Sequence, residues 1–405
     1  MKSENTTVPT KSPSKASKKP VVPPTTTTTM TASSPSCFMW SACMTVVLLA
    51  VTLFSSPASS QTCSRDTYTS LPAGAVFPTD TLSATLVPSG RALTTGHWSE
   101  VAKYSKYRPA KVTPAVSPPA VDCPHLQSGL KDWHNPTTWG GSVPANGANV
   151  NIPAATKVLV SSCSINASFV FGTITVPAGS ELIFGDAKIS VSARGFNVLG
   201  ALLIGSPTCR LRNKVTIPLY GSRGAQALPA ASQVKGIAVT GRIDIHGMQY
   251  FPTWSRLAMT AEAGDKYLFM QDMVNWQPGQ SVFVTTTEFK DARDWHRNEV
   301  RKIVKVWKTS LDATVAAIEL DSPLAYKHYG GREYQAEGGL LSRNIVIQGD
   351  ASSEPTDTAN ATCTDPVGGT GSTYPCNDKY LTGFGGHVQV MGTGARGRFS
   401  GVELY

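Results

Sequence analysis

The densest cluster of ionisable side chains lies in the stretch EFKDARDWHRNEVRKI, residues 288–303. Carboxylates beside a histidine can perform acid–base catalysis on a glycosidic bond, and clustered oxygens can also hold Ca²⁺. We therefore treat Asp294 and His296 as catalytic candidates and Arg301 as a substrate-binding candidate. The alternative is a solvated loop before the strand VRKIVKV, with Glu299 and Arg301 as a surface ion pair. Apart from Ca²⁺ at this cluster, no cofactor is predicted.

A second cluster lies in the segment GRIDIHG, residues 241–247. Alternation along a β-strand would place Arg242, Asp244 and His246 on the same face. We take Asp244 and His246 as catalytic candidates and Arg242 as a substrate-binding candidate. The alternative is a structural, hydrogen-bonded Asp–His pair at a domain junction.

The elements that must position these residues are short strands. Region 133–247 repeats one pattern, in which β-branched runs alternate with glycines, as in KVLV, FGTITVPAGSELIFG, NVLGALLIG and KGIAVTGRIDIHG. Runs rich in Val, Ile, Thr and Phe between Gly, Pro or Asn predict strands. No window keeps the apolar spacing of a helix for three turns. The sequence therefore predicts an all-β fold with short, regularly spaced strands.

Composition and charge narrow the class of partner. The chain has 405 residues with 35 Gly and 28 Pro, which suits many turns, and a formal net charge of +9. The first 36 residues hold five Lys and one Glu, a net charge of +4, so the rest of the chain has a net charge of only +5. This mild excess is unlike a nucleic-acid-binding protein and is compatible with an acidic polymer. We predict no nucleic-acid partner.

The N-terminal region predicts export. Residues 1–36 form a polar tail whose composition predicts disorder, and residues 37–56 contain the uncharged run FMWSACMTVVLLAVTLF. This run is either a cleaved signal peptide or a type II signal anchor that contacts the membrane, with the lysine-rich tail in the cytoplasm. A Ser/Thr/Pro-rich linker follows over 57–125. Both alternatives place the remaining chain at the cell surface or in the secreted fraction.

The cysteines and sequons agree with that location. Six cysteines lie in the exported part, and an even number outside the cytosol predicts disulfides: Cys63, Cys123, Cys163, Cys209, Cys363 and Cys376. We predict the pairs Cys163–Cys209 and Cys363–Cys376. The sequons at Asn166 and Asn360 predict glycosylation.

The stretch DWHNPTTWGGSVPANGANVNIPAATKVLV resembles the opening of the G8 domain, a module of short strands named for its recurrent glycines. The resemblance continues through FGTITVPAGSELIFG and NVLGALLIG to GRIDIHGM, so we assign residues 126–250 to a G8 domain. Trp133 and Trp139 are apolar plugs in this interpretation, and the glycines mark corners between strands.

The resemblance to this family extends past residue 250. Stretches such as VNWQPGQSVFVTTTEF, ELDSPLAYKHYG and AEGGLLSRNIVIQGD are similar to segments that follow the G8 domain in its fibrocystin-like and hyaluronidase-like members. The resemblance implies that residues 251–405 begin a right-handed parallel β-helix stacked on the G8 domain. Because members of the family carry more coils, the sequence resembles a truncated chain.

Two functions follow from the resemblance. The first is a cell-surface or secreted module that recognises a glycan or a matrix or cell-wall polymer. The alternative is a hyaluronidase-like glycoside hydrolase with its site at the junction of the two domains, which adds Asp265 as a catalytic and Arg256 as a substrate-binding candidate. Parallel β-helices host both functions, so the fold does not choose between them.

Overall fold

The computed structural model describes residues 63–68, 77–82, 121–221, 235–288, 297–309, 315–331, 334–351, 362–364, 373–375 and 385–405. Thr62–Tyr405 form one compact unit. The predicted tail and apolar segment, residues 1–56, lie outside the described residues, as does most of the predicted linker. Within the described ranges, no helix has the length and apolar character needed to cross a membrane.

Almost all regular structure is β, which confirms the predicted fold class. Short 3₁₀ helices occur at Pro124–Leu126 and Pro136–Trp139. The strands, in chain order, are β1 Thr81–Leu82, β2 Leu130–Asp132, β3 Val150–Asn151, β4 Lys157–Val160, β5 Val170–Val176, β6 Glu181–Phe184, β7 Ile189–Ser190, β8 Ser192–Val198, β9 Ala201–Ile204, β10 Val215–Leu219, β11 Gly236–Val239, β12 Arg242–His246, β13 Trp254–Arg256, β14 Tyr267–Met270, β15 Ser281–Val284, β16 Glu299–Thr309, β17 Ala316–Leu320, β18 Glu337–Leu340, β19 Ile345–Gly349, β20 Thr362–Thr364, β21 Thr373–Pro375, β22 His387–Val390, β23 Arg396–Ser400 and β24 Val402–Leu404.

Two parallel sheets form a stack of coils. One has the order β2-β4-β6-β9-β12-β23, and the other has the order β22-β11-β8-β10-β19-β24 with β3, β5 and β7 attached. The chain passes back and forth between the two sheets, so a coil contributes one strand to each of them. The right-handed winding of a β-helix stays a prediction.

Inward-facing aliphatic side chains hold the stack together. Val158, Leu182, Leu202 and Ile243 lie in register on four neighbouring strands and are fully buried. Full burial of one such side chain stabilises the fold by about 1.5–3 kcal/mol. The corner glycine Gly241 permits the close stacking, because a Cβ there would lie 2.2 Å from the carbonyl oxygens of the coil below.

Between β12 and β19 the chain builds a different sheet. Strands β13 to β18 pair in the antiparallel order β13-β18-β15-β16-β17-β14 around a hydrophobic core of their own. Parallel pairing resumes only when β19 pairs with β10 and β23 pairs with β12. The resemblance implied parallel coils from residue 251 onward, and the structure differs over 254–340. The alternating pattern of EVRKIVKVWKT in β16 suits a sheet with one solvated face, which antiparallel strands tolerate.

Asn344 joins the two ends of this inserted sheet. Its Oδ1 accepts a hydrogen bond from the Met248 amide at 2.8 Å, where the chain leaves the stack. Its Nδ2 donates to the carbonyl oxygens of Leu211 at 2.9 Å and Asn213 at 3.1 Å. One side chain therefore links the segment that leaves the stack, the segment that returns to it and the segment that precedes β10.

The disulfides correct the predicted pairing. Cys163 is bonded to Cys63, and Cys209 is bonded to Cys123, so the predicted Cys163–Cys209 pair is wrong. Cysteine spacing does not determine connectivity, and both observed bonds attach the segment before the domain to the stack. The pair Cys363–Cys376 stays a prediction, because Cys376 lies outside the described residues.

Candidate functional site

The segment GRIDIHG forms strand β12, and its side chains alternate as predicted. Ile243 and Ile245 belong to the hydrophobic core of the stack. Arg242, Asp244 and His246 therefore lie on the outer face of the strand. Asp244 is nevertheless only 1% exposed, because arginine side chains cover it.

Asp244 is held by arginines from two neighbouring coils. Arg398 of β23 donates from Nε to Oδ1 and from Nη2 to Oδ2, both at 2.7 Å. Arg242 donates to Oδ2 from the same strand as Asp244. Burial raises the pKa of the Asp244 carboxyl, but the hydrogen bonds from Arg398 and Arg242 more than offset it and hold the pKa below its usual value. Asp244 is therefore ionised and holds two guanidinium groups through hydrogen bonds.

His246 lies on the same face, 4% exposed, and neither ring nitrogen has a hydrogen-bond partner among the described residues. Burial lowers the pKa of His246 to about 4, and the nearby positive charge of Arg210 acts in the same direction. The imidazole is therefore neutral at pH 7 and does not supply a proton at that pH.

Arg242 also lines an open trough of about 400 Å³ that crosses several coils. Glu181, Ala201, Arg242 and Arg396 occupy one row of the sheet, on strands β6, β9, β12 and β23. The corner residues that complete the lining include four glycines, so its floor carries few side chains: Gly179, Gly200, Gly241 and Gly394. The trough therefore presents the guanidinium groups of Arg242 and Arg396 above a floor that carries few other side chains.

The charges at the trough favour anions. Arg242, Arg396 and the adjoining Arg398 supply three guanidinium groups, whereas Asp244 and Glu181 supply two carboxylates. The side chains of Arg242 and Arg398 are 38% and 39% exposed, so each can contact a ligand while it remains bound to Asp244. Arginine binds carboxylate and sulfate groups through paired N–H donors.

The cluster around Glu299 is a buried structural network. Its carboxylate accepts hydrogen bonds from the amides of Ala325 and Tyr326 at 2.8 Å, from His328 Nε2 at 2.9 Å and from Arg301. Burial raises the pKa of Glu299, but these donors lower it to below its usual value. The Glu299 side chain is 4% exposed, so the alternative of a surface pair with Arg301 is wrong.

The other candidates lie apart from Asp244. Asp265 Oδ2 accepts from the Glu262 amide at 2.8 Å in a turn before β14, and Arg256 lies 3.6 Å from Glu337. Arg256 lies in β13 and Arg301 lies in β16, both strands of the antiparallel sheet. Asp294, His296 and Asn360 lie outside the described residues. Asn166 lies in an exposed turn, where its Oδ1 accepts from the Ser168 amide at 3.0 Å.

Two groups in the described ranges have the size of a metal site, and each contains a disulfide. They are Cys63, His134 and Cys163, and Cys123, His125 and Cys209. Because a metal takes cysteine as the thiolate, the bonded sulfurs do not serve as ligands. Ca²⁺ stays a prediction.

Sequence reasoning missed Glu181, Arg396 and Arg398. The two arginines lie in the alternating run ARGRFS, which carried a signal for one charged face. Nothing in the sequence placed that face beside Asp244, because their contact joins residues 154 positions apart.

Comparison with known proteins identifies the module. The G8 domain model matches residues 138–258. Protein rliB of Dictyostelium discoideum is 37% identical over 286 residues, which are 70% of this chain and 22% of that protein. A G8 domain-containing protein of the same organism is 38% identical over 288 residues, with the same coverage of each chain. Human fibrocystin-L is 32% identical over 230 residues, which are 54% of this chain and 5% of fibrocystin-L.

The stacked sheets and the matched domain define an all-β, disulfide-bonded protein with a G8 domain at its core. The chain belongs to the G8 domain-containing proteins, so the predicted family is confirmed. It spans 22% of the length of the first curated relatives that it matches. The G8 domain, the likeness to fibrocystin-L and the disulfides indicate an extracellular or cell-surface module.

Proposed function

We propose that the chain is a glycan-recognition module and that its trough binds an anionic polysaccharide of the matrix or cell wall. The observation that carries this proposal is the arginine pair Arg242 and Arg396 on adjacent coils, with Arg398 beside them. Adjacent strands lie about 4.8 Å apart, so the guanidinium groups can contact neighbouring units of an extended chain. Carboxylate or sulfate groups on the sugars are the matching ligands.

Asp244 acts here as a positioning residue. By holding Arg242 and Arg398 through hydrogen bonds, it fixes their orientation before a ligand arrives. Side chains that are already ordered lose less conformational entropy on binding, which strengthens affinity. The half-exposed guanidinium edges remain available to the polymer.

The test is a titration of the purified chain with hyaluronan, chondroitin and alginate fragments. We expect binding that weakens as salt concentration rises, and about a tenfold loss of affinity for Arg396→Ala, because one charged hydrogen-bonding group is removed. Lys266→Ala removes an exposed charge outside the trough and serves as the control. Equal affinity of Arg396→Ala and the parent chain would contradict the proposal.

The hyaluronidase-like alternative has one observation in its favour. Glu181 lies in the trough, and its Oε2 is enclosed with no hydrogen-bond partner among the described residues. Hydrolysis needs two carboxyl groups, one of which donates a proton, and Asp244 with its lowered pKa is ionised. In this alternative Glu181 supplies the second carboxyl group.

Size-exclusion chromatography of the same three polymers, incubated with and without Ca²⁺, tests this alternative. Hydrolysis would be supported if the parent chain shortens a polymer that the Glu181→Gln variant leaves at full length. Full-length polymer after incubation with protein that binds it would reject hydrolysis and keep the binding function.

For membrane attachment we propose that residues 37–56 act as a type II anchor. The five lysines of the tail lie on the N-terminal side, which favours a cytoplasmic tail. Protease treatment of intact cells should then remove residues beyond 60 and leave an epitope placed at residue 5 uncut. A secreted product that begins near residue 60 would reject the anchor.

A further inference from the structure

The outer face of the antiparallel sheet carries an apolar row that crosses four strands. Trp254 of β13 pairs with Gly339 of β18, Gly339 pairs with Phe283 of β15, and Phe283 pairs with Val300 of β16. Trp254 and Val300 are 49% and 54% exposed, and Phe283 is half-buried. Val282 and Val284 point into the core beneath, so the row lies on the outer face. We call these four residues the aromatic row.

Gly339 leaves room for the Phe283 ring within the row. A Cβ at this position would lie 2.2 Å from Cε1 of Phe283, so the Phe283 ring covers the glycine. Two strand spacings separate the backbones of Trp254 and Phe283, which is about 10 Å. The row therefore has an exposed indole at one end, a phenyl ring near the middle and no side chain on the strand between them.

Polar and charged side chains flank most of the aromatic row, and the exposed Leu341 lies beside it next to Ser281. Arg256 and Glu337 form an ion pair at 3.6 Å along one side, and both side chains are nearly half exposed. Ser281 and the exposed Lys302 are paired along the other side. The apolar strip is therefore narrow, with hydrogen-bonding groups along both edges and one further apolar side chain, Leu341, at one of them.

We propose that the aromatic row is a second glycan site, which stacks the flat faces of a β-linked sugar chain on Trp254 and Phe283. The C–H faces of such sugars are apolar and their hydroxyl groups point outward, so they match a narrow apolar strip with polar edges. The disaccharide repeat of an extended β-linked chain has about the length of the two strand spacings between these residues.

The shape of the row argues against a protein partner. A stable protein interface buries about 800 Å² on each partner, far more than one indole, one half-buried phenyl and one valine provide. The Arg256–Glu337 pair on one side and Lys302 on the other also interrupt the apolar surface beside the row. A linear ligand of sugar width fits these limits. The site is independent of the trough, since its ligand needs no charge.

The test is calorimetric titration of the purified chain with neutral hexamers. A β-1,4-linked glucose hexamer and a β-1,4-linked N-acetylglucosamine hexamer are the probes, and an α-1,4-linked glucose hexamer, which coils, is the geometric control. We expect binding of at least one β-linked hexamer, with affinity reduced about tenfold by Trp254→Ala and largely kept by Trp254→Phe, which retains a ring.

Tyr334→Ala removes another exposed aromatic residue, outside the row, and should leave affinity unchanged. Arg396→Ala should also leave it unchanged, which separates this site from the trough. Thermal unfolding confirms that each variant is folded. Failure of both β-linked hexamers to bind the folded chain at millimolar concentration, or equal binding by Trp254→Ala, would overturn the proposal.

Discussion

Asp244 and Glu299 are buried carboxylates that keep their charge for the same reason. Each accepts hydrogen bonds from arginine, and Glu299 also accepts from two backbone amides and His328. An ionised group out of water is tolerated only when such donors replace its hydration. The two carboxylates differ in whether their arginines can contact a ligand. The side chains of Arg242 and Arg398 are 38% and 39% exposed, whereas that of Arg301 is only 18% exposed.

Glu299→Gln should destabilise the chain by about 3–5 kcal/mol, because it leaves His328 and Arg301 beside a neutral amide that also faces two backbone donors. Urea denaturation followed by tryptophan fluorescence measures the change. Glu288→Gln is the matched control, since Glu288 pairs with Arg297 on the surface, and it should change stability by under about 1 kcal/mol. Equal effects of the two substitutions would show that Glu299 is not the centre of a network.

His246 should make the fold sensitive to mild acid. Its folded pKa of about 4 is below its ordinary value of 6.5, so protonation favours the unfolded chain. Stability from this group is present above pH 6.5 and falls by about 1.4 kcal/mol per pH unit as the pH drops toward 4. Asp244 lies in the same cluster, with Arg210, Arg242 and Arg398. Because its pKa is lowered in the folded chain, Asp244 also loses stabilising free energy in acid, but only near and below its own ordinary pKa.

The pH dependence is measured by urea denaturation at pH 7, 6 and 5. His246→Leu should flatten the curve between pH 6.5 and 5, where carboxylates contribute little. If the free energy of unfolding of His246→Leu falls with pH as steeply as that of the parent chain, another group causes the acid sensitivity.

At the scale of elements, local patterns predicted some contacts and not others. Alternation in GRIDIHG correctly placed Arg242 and Asp244 on one face, since that depends only on the geometry of a single strand. The partner Arg398 depends on how β23 stacks against β12, after an inserted sheet, and no local pattern encodes that register. The same reason explains the wrong cysteine pairing, because Cys63 and Cys123 reach the stack only through the tertiary fold.

The junction at Asn344 gives a prediction at this scale. Asn344→Ala should destabilise the chain by about 1–3 kcal/mol, because the Met248 amide and the carbonyl oxygens of Leu211 and Asn213 lose their partner. Hydrogen exchange resolved by NMR should show faster exchange of the Met248 amide. Asn298→Ala, which removes a hydrogen bond to Thr286 at an exposed loop, is the control with a smaller expected effect. Unchanged protection of Met248 would contradict this role.

At the scale of the whole molecule, the two largest hydrophobic cores of the described residues belong to sheets with different strand pairing. The first gathers the inward residues of the parallel stack, and the second fills the antiparallel sheet. The sequence predicted the all-β class and the G8 domain, because strand periods and glycine corners repeat within short windows. It did not reveal that residues 254–340 interrupt the stack, since short strands have similar composition in parallel and antiparallel sheets.

Disulfide mapping tests the arrangement of the whole molecule. Non-reducing digestion and mass spectrometry should recover linked peptides that contain Cys63 with Cys163 and Cys123 with Cys209. Each bond closes a loop of many residues and should contribute about 2–4 kcal/mol, so reduction should lower the melting temperature. Recovery of a Cys163–Cys209 peptide from native protein would refute the arrangement.

The insertion between β12 and β19 also shapes how the chain is made. Met248 and Asn344 are in contact although they lie 96 positions apart in the sequence. The inserted sheet is therefore synthesised before β19 is available to pair with β10. During synthesis the free edges of β10 and β12 emerge first and remain unpaired while that sheet is translated. Distant pairings of this kind form slowly and leave nascent chains prone to aggregation. We therefore expect the partly synthesised chain to be most prone to aggregation until residue 345 and those beyond it are made.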